Sequence, residues 1–212
     1  MHYLDENKDS DDIVLLLHGE PTWSYLYRHM IPKLVKAGKR VIAPDLIGFG
    51  KSDKLPKREQ YTYERHIEWT HNIIKMLNLD NITFFGQDWG GLIGLRLVAN
   101  QPELFKGMVL ANTSLPIGKG TSEGFEAWKK YSQEVEVFNS GKIVQNASLK
   151  KLTDDEIHAY NAPFPDDTYL ACARQFPTLV PMNPDDPSVN EKIAAWEILK
   201  TFDKPVLTIF GS

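Results

Sequence analysis

Hydrophobic positions along the first half of the chain switch between two spacings. Short, nearly continuous apolar runs have the length and composition of strands that are buried on both faces. These runs are residues 13–17, 41–43, 82–85 and 108–111. Apolar residues also recur at helical intervals over residues 23–35, 63–77 and 92–99. Strands that alternate with helices predict an α/β domain with a mostly parallel sheet and helices on both faces.

The spacing changes after residue 114. Residues 115–120 (LPIGKG) are rich in proline and glycine and indicate a linker. Residues 121–200 then have helical spacing broken by proline-rich stretches, and a strand pattern returns at residues 205–210. We therefore predict a sheet domain interrupted by a helical insertion. The predicted divisions are a core over 1–114, a helical cap over 115–200 and a return to the core over 201–212.

Composition and charge exclude several classes of protein. The 212 residues are 42% hydrophobic and 25% charged with a net charge of −4, so there is no basic footprint for nucleic acid or anionic membrane. No apolar run approaches the roughly 20 residues that span a bilayer. Cys172 is the single cysteine, which excludes a disulfide framework and a cysteine metal site. It fits a reducing compartment, and we expect a cytoplasmic protein without metal or cofactor.

The most informative stretch is residues 86–91 (GQDWGG), which lies between a predicted strand and a predicted helix. It has the form of a nucleophile elbow, Gly-x-nucleophile-x-Gly, with Asp88 at the position of the nucleophile. Small residues on either side allow the sharp turn, and the following helix dipole favours an ionised carboxylate. An aspartate needs no base for its first attack, which suits displacement at a saturated carbon. Alternatively, Asp88 only caps the helix.

A second motif, residues 18–23 (HGEPTW), directly follows the first buried strand. In this architecture that loop supplies one backbone N–H of an oxyanion hole, and the residue after the nucleophile supplies the other. The predicted donors are the backbone N–H groups of Glu20 and Trp89. We interpret His18, at the end of the strand, as a structural residue that bonds the loop backbone.

Together these motifs resemble the haloalkane dehalogenases. The resemblance covers almost the whole chain and is carried by residues 18–23, 45–52 (DLIGFGKS), 86–91, 124–128 (GFEAW) and 162–166 (APFPD). It implies an α/β-hydrolase fold with a helical cap inserted after the sixth strand. It also implies hydrolysis of a small halogenated hydrocarbon by water, with release of halide.

The resemblance assigns roles to individual residues. Asp88 is expected to attack the carbon that carries the halogen and to form an alkyl ester. The indole N–H groups of Trp89 and Trp128 are expected to bind the halide, and Trp128 marks the branch of the family whose second tryptophan comes from the cap. Phe125 and Phe164 are expected to line the pocket. Alternatively, Trp128 is a core aromatic of a cap helix.

Hydrolysis of the ester requires a histidine oriented by a carboxylate. Residues 112–114 (NTS) offer no carboxylate, and the resemblance places the acid just beyond the strand at 206–210, with the histidine later still. We therefore expect both beyond Ser212, an incomplete chain at both ends, and no catalytic turnover by the chain as given. His66 and His71 are expected on a polar or boundary face of their helix, His158 at the surface, and His2 without a carboxylate partner.

Two other functions remain open from the sequence. An epoxide hydrolase shares the aspartate nucleophile but needs acidic donors, for which Tyr131, Tyr160 and Tyr169 are candidates. A non-catalytic relative that only binds a small ligand is the second. The preferred haloalkane and the oligomeric state do not follow from the sequence.

Overall fold

The computed structural model describes residues 1–211, so Ser212, the last residue of the predicted return segment, lies outside the described residues. The strands are β1 Tyr3–Glu6, β2 Ile13–Leu17, β3 Arg40–Pro44, β4 Ile82–Gln87, β5 Phe105–Ala111 and β6 Val206–Ile209. They form one sheet in the order β1-β3-β2-β4-β5-β6. β1 is antiparallel to β3, and the other neighbours are parallel.

The helices are α1 Ile31–Lys36, α2 Tyr63–Met76, α3 Trp89–Asn100, α4 Glu123–Glu134, α5 Ser140–Asn146, α6 Asp154–Asn161, α7 Ala171–Gln175 and α8 Val189–Leu199. Strand β2 shows how they are arranged, because its residues alternate between two hydrophobic clusters. Leu15 packs in the cluster that contains residues of α2, α3 and α8, whereas Leu16 packs with Ile31 of α1. The prediction of a mostly parallel sheet with helices on both faces is confirmed.

The predicted helix over residues 23–35 is divided in the structure. Residues Ser24–Tyr27 form a short 3-10 helix, and α1 begins only at Ile31, with Pro32 in its first turn. Proline lacks a backbone N–H and therefore favours a helix start rather than a helix interior. Helix α2 agrees closely with its predicted range, and Thr62 caps it by accepting a hydrogen bond from the backbone N–H of Arg65.

The helical insertion lies between β5 and β6. Five strands precede it in the described residues, and one follows it. Helix α8 packs against α3, and the Trp196 indole N–H donates to the carbonyl of Leu115. This last helix therefore packs on the core through α3. The predicted domain boundaries stay a prediction. Within residues 1–211, no helix is long and apolar enough to cross a membrane.

Asp45, at the carboxyl end of β3, connects three separate parts of the core. Its buried carboxylate accepts hydrogen bonds from the backbone N–H groups of Ser24 (2.8 Å) and Lys51 (2.9 Å). The Nδ1 atom of His2 lies 2.8 Å from Oδ2 of the same carboxylate. The expectation that His2 has no carboxylate partner is therefore wrong, because the antiparallel strand β1 brings the chain start beside β3.

We expect Asp45→Ala to lower the free energy of unfolding by about 3 kcal/mol, because it leaves buried donors without an acceptor. Asp45→Asn should lose less, since its amide oxygen still accepts one of these hydrogen bonds. Urea unfolding followed by circular dichroism measures both. Asp53→Ala, at an exposed position nearby, is the matched control, and an equal loss in that variant would contradict the role of Asp45.

Candidate active site

Asp88 lies at the turn between β4 and α3 with φ 52° and ψ −125°. A positive φ is strained for a residue with a side chain and persists where the surroundings enforce it. Two hydrogen bonds hold the Asp88 backbone in this conformation. The hydroxyl of Thr113 donates to the Asp88 carbonyl oxygen at 2.7 Å, and the backbone N–H of Gly91 donates to the same oxygen at 2.9 Å. The turn holds the carboxylate at the carboxyl edge of the sheet and at the start of α3.

Two glycines make this turn possible by their lack of a side chain. A Cβ atom at Gly90 would lie 1.9 Å from the Leu17 carbonyl oxygen, which belongs to β2. A Cβ atom at Gly19 would lie 2.4 Å from both Cβ and Oδ1 of Asp88. The first glycine lets α3 begin directly against β2, and the second lets the loop after β2 close over the carboxylate.

The predicted donor of that loop contacts Asp88 directly. The backbone N–H of Glu20 donates to Asp88 Oδ1 at 2.8 Å. Trp89, the other predicted donor, is the first residue of α3, and its backbone N–H also stabilises the Asp88 carboxylate. Both groups therefore lie where a developing negative charge on a carboxyl oxygen would be stabilised.

Burial controls the ionisation of this site. Removal from water raises the pKa of Asp88 to about 6, and the backbone N–H groups of Trp89 and Glu20 act in the opposite direction. Burial, and then the nearby charge of Asp88, raises the pKa of the Glu20 side chain well above its usual value. At neutral pH Asp88 is therefore ionised, and burial and the charge of Asp88 both favour the protonated form of Glu20.

The buried histidines are structural. His18 Nδ1 lies 2.9 Å from the Gly19 carbonyl oxygen, and its Nε2 accepts the backbone N–H of Leu46 (2.9 Å). Both ring nitrogens are thus engaged by the backbone, as expected. His66 is fully buried against Tyr61 and Phe176, and burial lowers its pKa to about 3. Its predicted place on a polar or boundary face is wrong, because the loop before α2 and the segment after α7 cover that side of the helix.

Asp88 opens into a cavity of about 510 Å³ between the edge of the sheet and α4. Five of the predicted site residues line it: Asp88, Glu20, Trp89, Phe125 and Trp128. Phe164 does not line it and packs edge to face on Phe49, with ring centroids 6.2 Å apart. The prediction for Phe164 is therefore corrected, because the turn after α6 directs this ring toward the core.

The two tryptophans are held by aromatic contacts. The Trp89 indole is 4% exposed, stacks on Phe176 at 4.3 Å and meets the Tyr63 ring edge to face at 5.9 Å. Trp128 of α4 stacks on Tyr131 at 5.8 Å. Among the described residues neither indole N–H has a hydrogen-bond acceptor, unlike Trp23, whose N–H donates to the Ala159 carbonyl. The two free indole donors line the same cavity as the Asp88 carboxylate.

Several residues that position the site were not predicted from the sequence. Phe176 and Tyr63 fix the Trp89 ring from segments more than a hundred residues apart, and Thr113 fixes the Asp88 carbonyl. Thr113 follows a strand in a parallel sheet, so the rule that polar residues gather at carboxyl ends of strands could have found it. Nothing comparable singles out the two aromatic rings. In the described part of the chain, no histidine lines the cavity, and no cluster of side chains could hold a metal ion.

Known proteins share this fold and sequence. A family model described as alpha/beta hydrolase fold matches residues 12–138. A haloalkane dehalogenase of Psychrobacter cryohalolentis is 53% identical over 212 residues, a match that covers all of this chain and 70% of that protein. One of Mycolicibacterium paratuberculosis is 48% identical over 213 residues, covering all of this chain and 71% of that protein.

A solved structure agrees with both matches. The tetrameric haloalkane dehalogenase DpaA of Paraglaciecola agarilytica NO2 superimposes with a TM-score of 0.93 at 36% identity, over 97% of this chain and 70% of that one. The fold, the elbow and the whole-chain identity agree, and the resemblance predicted from the motifs is confirmed. This chain belongs to the haloalkane dehalogenase family of the α/β-hydrolase fold.

Proposed function

We propose that Asp88 displaces halide from a haloalkane in this cavity. The observation that carries the proposal is a buried, ionisable carboxylate on a strained turn that lines one cavity with two tryptophans, whose indole N–H groups have no acceptor among residues 1–211. Asp88 Oδ1 accepts the Glu20 N–H, so Oδ2 is the oxygen that attacks. A bond forms between Oδ2 and the carbon, the carbon–halogen bond breaks, and the halide leaves with the bonding electrons.

The leaving halide is received by Trp89 and Trp128. An indole N–H is a donor that adds neither a competing nucleophile nor a full charge to the cavity. A donor in a dry site contributes more than it would in water, because it acts at low dielectric and is already oriented. The stacking of Trp89 on Phe176 supports this role, since it fixes the ring before substrate binds.

The second half of the reaction is hydrolysis of the alkyl ester. Water must attack the ester carbonyl of Asp88, and the backbone N–H groups of Glu20 and Trp89 are placed to stabilise the oxyanion that forms. A base must activate this water. No histidine of residues 1–211 lines the cavity, and His18 has both nitrogens engaged by the backbone. We therefore propose that the 212-residue chain forms the ester and does not hydrolyse it.

The positions of the cap tyrosines disfavour epoxide opening. An epoxide hydrolase needs an acidic donor at the epoxide oxygen, yet Tyr131, Tyr160 and Tyr169 do not line the cavity. Tyr160 is buried and accepts a hydrogen bond from Arg28, and the other two are exposed. A ligand-binding protein without chemistry would have no need for the desolvated Asp88, whose burial raises its pKa.

Incubation of the chain with 1-bromobutane should add one butyl group per molecule and release one bromide. Intact-protein mass spectrometry, followed by peptide mapping, should place the butyl group on the peptide that contains Asp88. Asp88→Ala should remain unmodified, and Asp9→Ala, at an exposed position, should react like the parent. Continued release of bromide over many turnovers would contradict the proposed block at the ester.

The rate of this alkylation should depend on pH through Asp88. The raised pKa of about 6 leaves the carboxyl group protonated and unreactive below that pH. The rate should rise about tenfold per pH unit below 6 and reach a plateau above it. Glu20→Gln keeps the burial and the backbone donor that set the pKa of Asp88, so the midpoint should stay near 6. A rate that is flat between pH 5 and 8 would argue against a desolvated Asp88.

A further inference from the structure

Two buried cations lie on α3 and α8, which pack against each other. Lys192 of α8 has no exposed surface, and Arg96 of α3 is 9% exposed. Lys192 Nζ and the Nε and Nη1 atoms of Arg96 are buried without hydrogen-bond partners among residues 1–211. A buried charge without a carboxylate partner is costly for the folded state. The burial of these two charged side chains is therefore not explained by a contribution to the stability of the fold.

Both cations contact the same ring. Lys192 Nζ lies 4.4 Å from the centroid of Tyr63, and Arg96 Cζ lies 5.7 Å from it. The negative face of an aromatic ring attracts such groups and offsets part of their desolvation. The Tyr63 hydroxyl donates to the carbonyl of Leu92, which holds the ring against α3.

Tyr63 also connects the cations to the candidate halide site. Its ring meets the Trp89 indole edge to face at a centroid distance of 5.9 Å, and Trp89 lines the cavity beside Asp88. The Tyr63 ring, which contacts both cations and this indole, is itself buried. Screening there is much weaker than in water, so charge effects extend over a distance of several side chains.

We propose that Lys192 and Arg96 are positioning residues that act through Tyr63 and Trp89 to stabilise the halide in the cavity. The inference rests on the proposed function, because it takes Trp89 as a halide donor. The cations do not touch the halide; they set a positive potential behind the indole that does. The folded state bears two buried charges that have no hydrogen-bonded carboxylate among residues 1–211, and the leaving anion is stabilised by them.

The groups around Lys192 give this effect a pH dependence. Burial, and then the charge of Arg96, lowers the pKa of Lys192 to about 8, while Glu64 of α2 acts in the opposite direction. Lys192 is therefore charged at pH 7 and loses its charge as the pH rises through 8, whereas a guanidinium stays protonated. Asp88 is already ionised in this range. Glu20 also faces the cavity and has a raised pKa, so the contribution of Lys192 has to be separated by substitution.

Bromide affinity, measured by quenching of tryptophan fluorescence at pH 7 and pH 9, tests the proposal. Lys192→Met keeps the shape of the side chain and removes its charge. In the parent chain, bromide affinity should fall between pH 7 and 9 as Lys192 loses its charge. The Lys192→Met variant should bind bromide about fivefold more weakly than the parent at pH 7, and its affinity should fall less between pH 7 and 9. Lys192→Arg should retain the affinity at pH 7 and lose the pH dependence above it. Lys130→Met, at an exposed position of α4, should change neither.

Thermal unfolding of the same variants separates this role from a structural one. Lys192→Met should unfold at the same or a higher temperature, because a buried charge has been removed, although its bromide affinity falls. An affinity and pH profile equal to those of the parent would overturn the inference while leaving the proposed function intact. Undiminished bromide affinity in Trp89→Phe would instead overturn the proposed function, and the inference with it.

Discussion

The hydrogen bond from the Glu20 backbone N–H to Asp88 Oδ1 joins segments that are 68 residues apart and defines the site. It exists because β2 and β4 are neighbouring parallel strands, in which Leu17 is paired with Gly86. Both strands therefore end at the same edge, and their following loops meet. Gly19 and Gly90 allow the approach, since a Cβ atom at either would collide with the opposing segment. The strained backbone of Asp88 is maintained by this crowding.

The same packing controls the electrostatics of the site. Closing the loop over Asp88 removes the carboxylate from water, which raises its pKa toward neutrality, and burial also raises the pKa of the Glu20 side chain. A desolvated carboxylate is a stronger nucleophile toward an apolar substrate than a hydrated one. Two buried cations without carboxylate partners in the described residues lie against Tyr63, and the Tyr63 ring contacts the Trp89 indole. The negative charge of the nucleophile and the positive charges near Tyr63 are thus both buried around Trp89.

Local signals predicted the features that depend on neighbouring residues in the chain. The strand periodicity predicted a parallel sheet, and the glycines around Asp88 predicted a sharp turn before α3, as the structure has it. The family resemblance added Trp89 and Trp128, which line one cavity. These features could be predicted because the strand spacing and the elbow motif are each defined by a few neighbouring residues.

Features that depend on distant partners were missed or predicted wrongly. His66 looked like a boundary residue, but rings from other segments bury it. Phe164 looked like a pocket residue, but it packs on Phe49. Asp45 gave no sign that it accepts backbone hydrogen bonds from two loops. Helical spacing alone places a residue on a face and does not say which segment covers that face, so the burial of Lys192 could not have been predicted.

The most direct measurement of the central claim is a crystal structure of the chain after reaction with a bromoalkane. We expect electron density for an alkyl ester on Asp88 Oδ2, with Oδ1 still accepting the Glu20 N–H. The anomalous signal of bromide should lie between the indole nitrogens of Trp89 and Trp128. An unmodified Asp88, with the alkyl group on another side chain or the bromide away from both indoles, would contradict the claim.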